Sequence, residues 1–425
     1  MGKFVVPLRD ADATEANRFG PKAANLAALG LAGLPIADGF ALDSAAYRLQ
    51  LQALGLKETA HKVFSTDGME ARRSALAIRL GFLDQPITGE LIDPLMEAWE
   101  SIMAVPGNLA VVRSSALVED RFGSSFAGQF ESFLGIENDT EYLTAIRSCW
   151  CALWATRALR YMATHDLDPA ETAMGLIIQP LIHAKVSGGG LSRTAEGDML
   201  ISATWGLGSA IAQGEVVPDR YRLTRDGQVL EMAAGRKFQS IGCTHGTQTR
   251  TVSRKKAIEP CLSEAQVKEI GEYLYTAESV VDGPAEIEWS LDDDGFKLLQ
   301  ARPLHVETEN APDQIWDDAT RLRGHPAGVG WGTGRACVVN CECELSRVAP
   351  GDVLITKVPG PALAQILPRV SGVIAELGGS TSHLASLARE RGIPMVLGVM
   401  DATTSIPEGS TVAVDGVAGI VRWKQ

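Results

Sequence analysis

The sequence predicts an α+β protein built from two unequal modules, and three observations carry that prediction. Helical periodicity alternates with antiparallel hairpin signals, without regular βαβ repetition. A stretch from His305 to about Gly330, rich in proline and glycine and poor in periodicity, separates a long first part from a compact last part. Charge divides the same way. The 425 residues hold 39 Lys+Arg and 52 Asp+Glu, a net charge of −13. From Trp331 to the end there are 8 basic and 8 acidic residues, so the first 330 carry the whole excess.

The elements follow in order. Asn25 to Leu29 carries helical spacing, Gly30 suits a stop, and Leu34-Pro35-Ile36 leads into a strand near Gly39–Leu42 and a further helix. Residues 85–104 read as an amphipathic helix, and Leu109 to Ser115 as an apolar strand ending in Arg113 and two hydroxyls. Residues 140–165 read as helix, with Trp150, Leu153, Trp154 and Leu159 on repeating positions. Met174–Ile178 and Asp198–Thr204 read as strands, and 263–281 as a long helix. Glu286 to Leu291 alternates strictly, with Phe296–Ala301 as its hairpin partner across Asp292-Asp293-Asp294-Gly295. The last 95 residues show short strands at 353–356, 372–375, 395–397 and 411–414, and a helix from about Leu384 to Arg391.

Composition excludes several classes. Hydrophobic residues at 45% and charged residues at 21% are those of a globular chain, which excludes general disorder. At about 150 residues per domain the length admits two or three domains. Net acidity argues against generic nucleic-acid binding, which rests on phosphate neutralisation. The longest greasy run, Leu26–Ala37, is broken by two glycines and Pro35, and the start shows neither a signal peptide nor a myristoylation pattern. Seven cysteines at this density fit a reduced cytoplasm. Cys337, Cys341 and Cys343 cluster, but the spacing matches no standard zinc pattern, and Cys341 and Cys343 alternate as strand residues on one face do.

Two places concentrate chemistry. His383 closes Gly378-Gly379-Ser380-Thr381-Ser382-His383 and opens a helix that Gly392 would end. Thr381 and Ser382 suit an N-cap, so an imidazole sits where backbone N–H groups favour negative charge. The spacing admits a phosphoryl-carrying histidine or a capping motif with an incidental one. Glu286 and Glu288 share one strand face, and Gln300 and Arg302 share a face of the partner strand. Two carboxylates and an amide suit magnesium, and Arg302 suits a phosphate; cross-strand ion pairs on a solvated face are the other reading. Lys22, Arg113, Arg157 and Lys237 are scattered cations that each read singly as surface charge. Small residues around Ser125, Gly128 and Gln129 could cover a triphosphate with their N–H groups. No P-loop and no Gly-X-Ser-X-Gly elbow occurs.

Taken in order, these segments form a series. Gly20-Pro21-Lys22-Ala23-Ala24-Asn25-Leu26 comes first. Val112-Arg113-Ser114-Ser115-Ala116, Glu119-Asp120 and Ser125-Phe126-Ala127-Gly128-Gln129 follow. Then come Trp205-Gly206-Leu207-Gly208, Gln213-Gly214-Glu215, Pro218-Asp219, Glu286-Ile287-Glu288-Trp289 and Gln300-Ala301-Arg302-Pro303. The histidine motif and Ala388-Arg389-Glu390-Arg391-Gly392-Ile393-Pro394 close it. The series resembles the phosphoenolpyruvate synthase and pyruvate phosphate dikinase family from about Gly20 to the end. Phosphotransferases of rifamycin antibiotics and phenylphosphate-synthase-like systems are similar.

The resemblance implies an ATP-grasp domain of two subdomains at 1–305, a linker at 306–330, and a swivelling β/β/α phosphohistidine domain at 331–425. It implies ATP and Mg2+ as cofactors and His383 as the carrier, phosphorylated with release of AMP and phosphate. Lys22, Arg113 and Arg302 would hold phosphates. Ser125, Gly128, Gln129, Gln179 and Glu215 would line the nucleotide, and Glu286, Glu288 and Gln300 would sit at magnesium. Gly379, Thr381 and Ser382 would support the phosphohistidine. The sequence departs from the family at Glu286, where an Asp is common, at Gln179-Pro180-Leu181, and at Ser187-Gly188-Gly189-Gly190-Leu191.

The family's synthases continue into a barrel, and the antibiotic phosphotransferases insert a large acceptor domain. The length here leaves room for neither. The expectation is therefore an EC 2.7.9-type phosphotransferase that passes phosphate to a hydroxyl or enol small molecule, with a partner subunit as one source of the acceptor site. No nucleic acid and no membrane is expected. A non-catalytic ATP-binding or carrier subunit is the alternative, and an acyl-phosphate-forming ligase ranks behind both, since it leaves the histidine motif without a role.

Overall fold

The computed structural model describes residues 4–66, 68–119, 130, 132–243, 247–306 and 320–424. The chain forms two compact units. One comprises Met1–Ile182, Cys243–Thr247 and Lys297–Arg302; the other comprises His183–Gly242, Gln248–Phe296 and Pro303–Gln425.

The first unit is built on a sheet of β1 (Val5–Pro7), β2 (Phe40–Leu42), β3 (Ala110–Ala116), β4 (Ser132–Ile136) and β5 (Met174–Pro180), in the order β1-β2-β5-β3-β4. Strand β3 is buried throughout except at Arg113, and β5 is buried up to Pro180, so the apolar residues at 110–112 and 176–178 lie in the core. Around them lie α1 (Ala16–Phe19), α2 (Pro21–Leu31), α3 (Ser44–Ala53), α4 (Lys57–Ser65), α5 (Gly68–Asp84), α6 (Gly89–Met103), α7 (Asp139–Ala152) and α8 (Thr156–Thr164). Helix α6 buries Leu91, Leu95, Ala98, Trp99 and Ile102, the stripe its spacing predicts. The helix expected over 140–165 is two, because the chain turns at Leu153–Ala155 and brings Trp154 inward, where its indole N–H donates to the Tyr47 hydroxyl at 2.8 Å. Pro21 opens α2 at a position that needs no N–H donor. Gly20 precedes it with φ +81°, packed against Ser115, whose Oγ accepts from Ala23 N at 3.0 Å. The segment Lys297–Arg302 joins this unit through Leu298 N to Pro35 O at 2.7 Å and Asn25 Nδ2 to Ala301 O at 3.1 Å.

The second unit holds two large sheets. The first contains β6 (Val186–Leu191), β7 (Met199–Trp205), β8 (Asp219–Leu223), β9 (Val229–Ala233) and β12 (Ala285–Asp292), in the order β12-β6-β7-β8-β9; β13 (Gly295–Pro303) follows β12 in the chain, and its Lys297–Arg302 belongs to the first unit. Strands β10 (Gln239–Cys243) and β11 (Thr247–Thr251) form a separate ribbon. Helices α9 (Ser209–Ala212), α10 (Arg254–Ala257) and α11 (Glu264–Val281) accompany them. Helix α11 starts at a capping box in which Ser263 and Gln266 satisfy each other's backbone N–H groups.

The second sheet contains β14 (Thr320–Arg323), β15 (His325–Pro326), β16 (Trp331–Val339), β17 (Val353–Thr356), β18 (Gly372–Ala375), β19 (Met395–Leu397), β20 (Thr411–Asp415) and β21 (Ile420–Lys424). Its order is β14-β21-β20-β16-β17-β18-β19-β15. Strand β16 runs parallel to β17 and antiparallel to β20, so the sheet is mixed. Val353, Ile355, Ile374, Val396, Val412, Val414 and Val421 fill its core. Helices α12 (His383–Glu390) and α13 (Ala402–Ser405) complete the unit.

Two expectations are corrected here. Of the linker expected at 306–330, residues 307–319 lie outside the described residues, but Thr320–Arg323 and His325–Pro326 are strands. Their partners are β21 and β19, distant in sequence, so no local pattern announces them. Cys341 and Cys343 are not strand residues. They flank the start of a 3-10 helix at Glu342–Arg347 and are joined as a disulfide, so neither supplies a thiolate to a metal.

Candidate functional site

In the first unit, α2 and β3 present Lys22 and Arg113. The Lys22 ammonium lies 2.9 Å from Glu119 Oε1, and Glu119 is fully buried, its second oxygen accepting from Ala116 N at 3.1 Å. Arg113 donates to Leu299 O at 2.6 Å and to Gln300 Oε1 at 3.3 Å, so the fold brings Arg113 and Gln300 together. Gln300 and Arg302 alternate on β13, and both are buried. Gln179 is buried on β5, with its amide nitrogen donating to Ala37 O at 2.8 Å. Ser125, Gly128 and Gln129 lie outside the described residues. Arg157 is exposed at the start of α8.

In the second unit, Glu286 and Glu288 alternate on β12 opposite Leu191 and Gly189 of β6. Glu286 is buried and pairs with Arg389 at 2.9 Å, and the Ser386 hydroxyl lies 3.5 Å from both its oxygens. Glu288 is half-buried. Glu215, half-buried, follows α9 and holds the turn by donating its N–H to Ala210 O at 2.9 Å. Lys237, which the sequence leaves among scattered cations, is fully buried in an ion pair with fully buried Asp219. Asp219 also accepts from Gly235 N at 2.7 Å, Cys261 N at 2.7 Å and the Tyr221 hydroxyl at 3.0 Å. Burial, and then the Asp219 carboxylate, push the Cys261 thiol pKa far up, so that thiol stays protonated.

His383 is the first residue of α12, half-buried. Ser382 caps the helix, its Oγ accepting from Ala385 N at 3.2 Å. Gly392, with φ +65°, follows the helix end as the sequence predicts. The Thr381 hydroxyl is buried and makes no hydrogen bond within the described residues. The imidazole thus stands at the positive dipole end of α12, where negative charge is favoured.

Sequence reasoning gave no role to Arg389 and Glu119. Both stand in the quoted motifs, and a charged residue on an otherwise apolar face is the only local signal that they are internal partners.

Comparison with known proteins follows these motifs. Residues 16–321 match the family model described as pyruvate phosphate dikinase, AMP/ATP-binding domain. Residues 348–419 match that described as PEP-utilising enzyme, mobile domain. The chain is 31% identical over 459 residues to the phosphoenolpyruvate synthase of Aeropyrum pernix, covering 95% of this chain and 56% of that protein. It is 29% identical to the probable phosphoenolpyruvate synthase of Methanothermobacter thermautotrophicus, covering 99% and 64%. The Escherichia coli phosphoenolpyruvate synthase is 27% identical, with 91% and 52% covered. The chain therefore spans a little over half the length of the curated relatives it matches. Among solved structures, the D-alanine-D-alanine ligase of Coxiella burnetii is 13% identical over 68% of this chain and 48% of that one, with a TM-score of 0.26 that carries no argument about the fold.

Proposed function

The chain belongs to the family of pyruvate phosphate dikinase and phosphoenolpyruvate synthase, and from that premise we propose that it phosphorylates its own His383 from ATP and passes the group to a small hydroxyl or enol acceptor. On this reading residues 1–305 form an ATP-grasp module of two subdomains and residues 331–425 a swivelling carrier. Magnesium, when bound, would neutralise phosphate charge; Glu286 and Glu288 on β12 and Gln300 on β13 are hard oxygen donors of the kind it takes. Arg113, Arg302 and Lys22 hold phosphate oxygens as donors that never accept. Glu215 and Gln179 belong to the nucleotide's surroundings, and Gly379, Thr381 and Ser382 to those of the phosphorylated ring.

The step balances as follows. A neutral ring nitrogen of His383 attacks the β-phosphorus, and the bond to the α-phosphate oxygen breaks, so AMP leaves. The terminal phosphate is then lost to water or to inorganic phosphate, leaving phosphohistidine. Preorganised cations supply most of the rate. The acceptor is a small molecule, and a partner subunit is one way of presenting it.

The observation that carries this reading is the position of His383 at the capped amino end of α12, inside the mobile-domain match. The test uses ATP labelled in the β-phosphate. We expect an acid-labile, base-stable label on the protein, AMP as the nucleotide product, and loss of the label in His383→Ala. Release of ADP, or label that survives the substitution, sinks the mechanism. Binding of ATP with no AMP formed would instead identify a non-catalytic ATP-binding subunit.

A further inference from the structure

The loop carrying His383 is seated on the β6–β12 face by contacts that the phosphoryl chemistry alone does not require. Gly378 N donates to Val216 O at 3.0 Å. Gly379 lies so close to Pro218 that a β-carbon there would stand 2.6 Å from its Cγ. Thr381 rests on bare backbone at Gly189, where a β-carbon would come within 2.7 Å of Thr381 Cβ. Glycine inside a strand costs stability and marks close approach of another group, and here that group is the histidine loop.

Arg389 supplies the second anchor. Its Nη2 pairs with Glu286 Oε2 at 2.9 Å, with the two side chains only 8% and 4% exposed. Its Nη1 donates to Ser380 O at 2.6 Å and Ala327 O at 3.3 Å. One guanidinium therefore holds the backbone of the histidine loop and a carboxylate of the sheet together, and its fixed fork makes that joint directional. Gly189 and Glu286 lie on neighbouring strands, with Gly189 opposite Glu288 and Leu191 opposite Glu286. Both anchors are therefore on adjoining positions of one surface.

We propose that Gly189 and Arg389 are positioning residues that seat the His383 loop for phosphorylation. The effect on rate rests on the phosphohistidine reading above; the seating does not.

The test compares the full chain with Gly189→Val, Arg389→Met and Arg389→Lys. We expect single-turnover labelling of His383 from ATP to slow by about tenfold or more in Gly189→Val and Arg389→Met, the scale of loss expected from displacing a reacting group. In Gly189→Val the affinity for ATP with magnesium should stay within about twofold, separating binding from the step. Arg389→Lys should keep more rate than Arg389→Met. Amide hydrogen exchange over residues 376–383 should quicken in Gly189→Val, a readout independent of catalysis. Wild-type exchange in that segment overturns the proposal, as does wild-type labelling in both Gly189→Val and Arg389→Met. If the wild-type chain takes no label, the phosphohistidine reading falls and exchange alone decides the seating. If Gly189→Val does not fold, Gly189→Ala is read by the same exchange measurement.

Discussion

Asp219 shows how a residue's neighbours overrule its sequence context. Its oxygens take hydrogen bonds from Gly235 N, Cys261 N and the Tyr221 hydroxyl beside the Lys237 ion pair, all within the buried interior. Lys237, which by sequence reads singly as surface charge, is the internal counter-charge of that carboxylate. Asp219→Asn should therefore cost on the order of 3–5 kcal/mol, because it strands a buried ammonium; a urea midpoint equal to wild type would contradict this. Other residues were readable. The hydroxyls before His383 and the glycine after its helix have stereotyped capping chemistry, so the local sequence offered Thr381 and Ser382 as caps, of which Ser382 is the one used, and Gly392 as the stop. Arg389 and Glu119 were not readable as partners, since the groups that bind them, Glu286 and Lys22, are about a hundred residues away.

Elements divide the same way. The hairpin of β12 and β13 was legible because strict alternation and the Asp-Asp-Asp-Gly turn lie together in the chain. Helix α11 was legible from its period and its cap. Ser263→Ala removes one half of the capping box and should lower stability by about 1 kcal/mol, seen as a lower melting temperature; no change would mean that Gln266 and water suffice. Strand β6 was hidden, because Gly188, Gly189 and Gly190 carry little strand propensity. Its pairing with β7 and β12 overrides that propensity, and Gly189 leaves room for Thr381. The strands β14 and β15 were hidden for a related reason, since the residues they pair with begin only at Val396.

For the molecule as a whole, acid stability should turn on His325. Its ring is buried on β15, Nδ1 makes no hydrogen bond within the described residues, and burial, helped by Arg220, lowers its pKa to about 3. Arg220 is itself paired with Glu231 at 2.6 Å. In the unfolded chain the same imidazole titrates near ~6.5. Between those values the unfolded state binds the extra proton, so folding is unaffected above the window and weakens by about 1.4 kcal/mol per pH unit as pH falls through it. His325→Gln should remove that share of the slope in denaturant midpoints taken from pH 7 to 4.5. Parallel slopes in the two proteins would show that the ring is already exposed. The family, the order of its motifs and the capping of the histidine loop were written in the sequence alone, because short contiguous segments specify turns, caps and charge. The tertiary structure alone decided which of the charges face one another: Glu286 with Arg389, Lys22 with Glu119, Asp219 with Lys237. Ion pairs form between residues that the fold brings together, and no local pattern encodes a partner that lies many residues away.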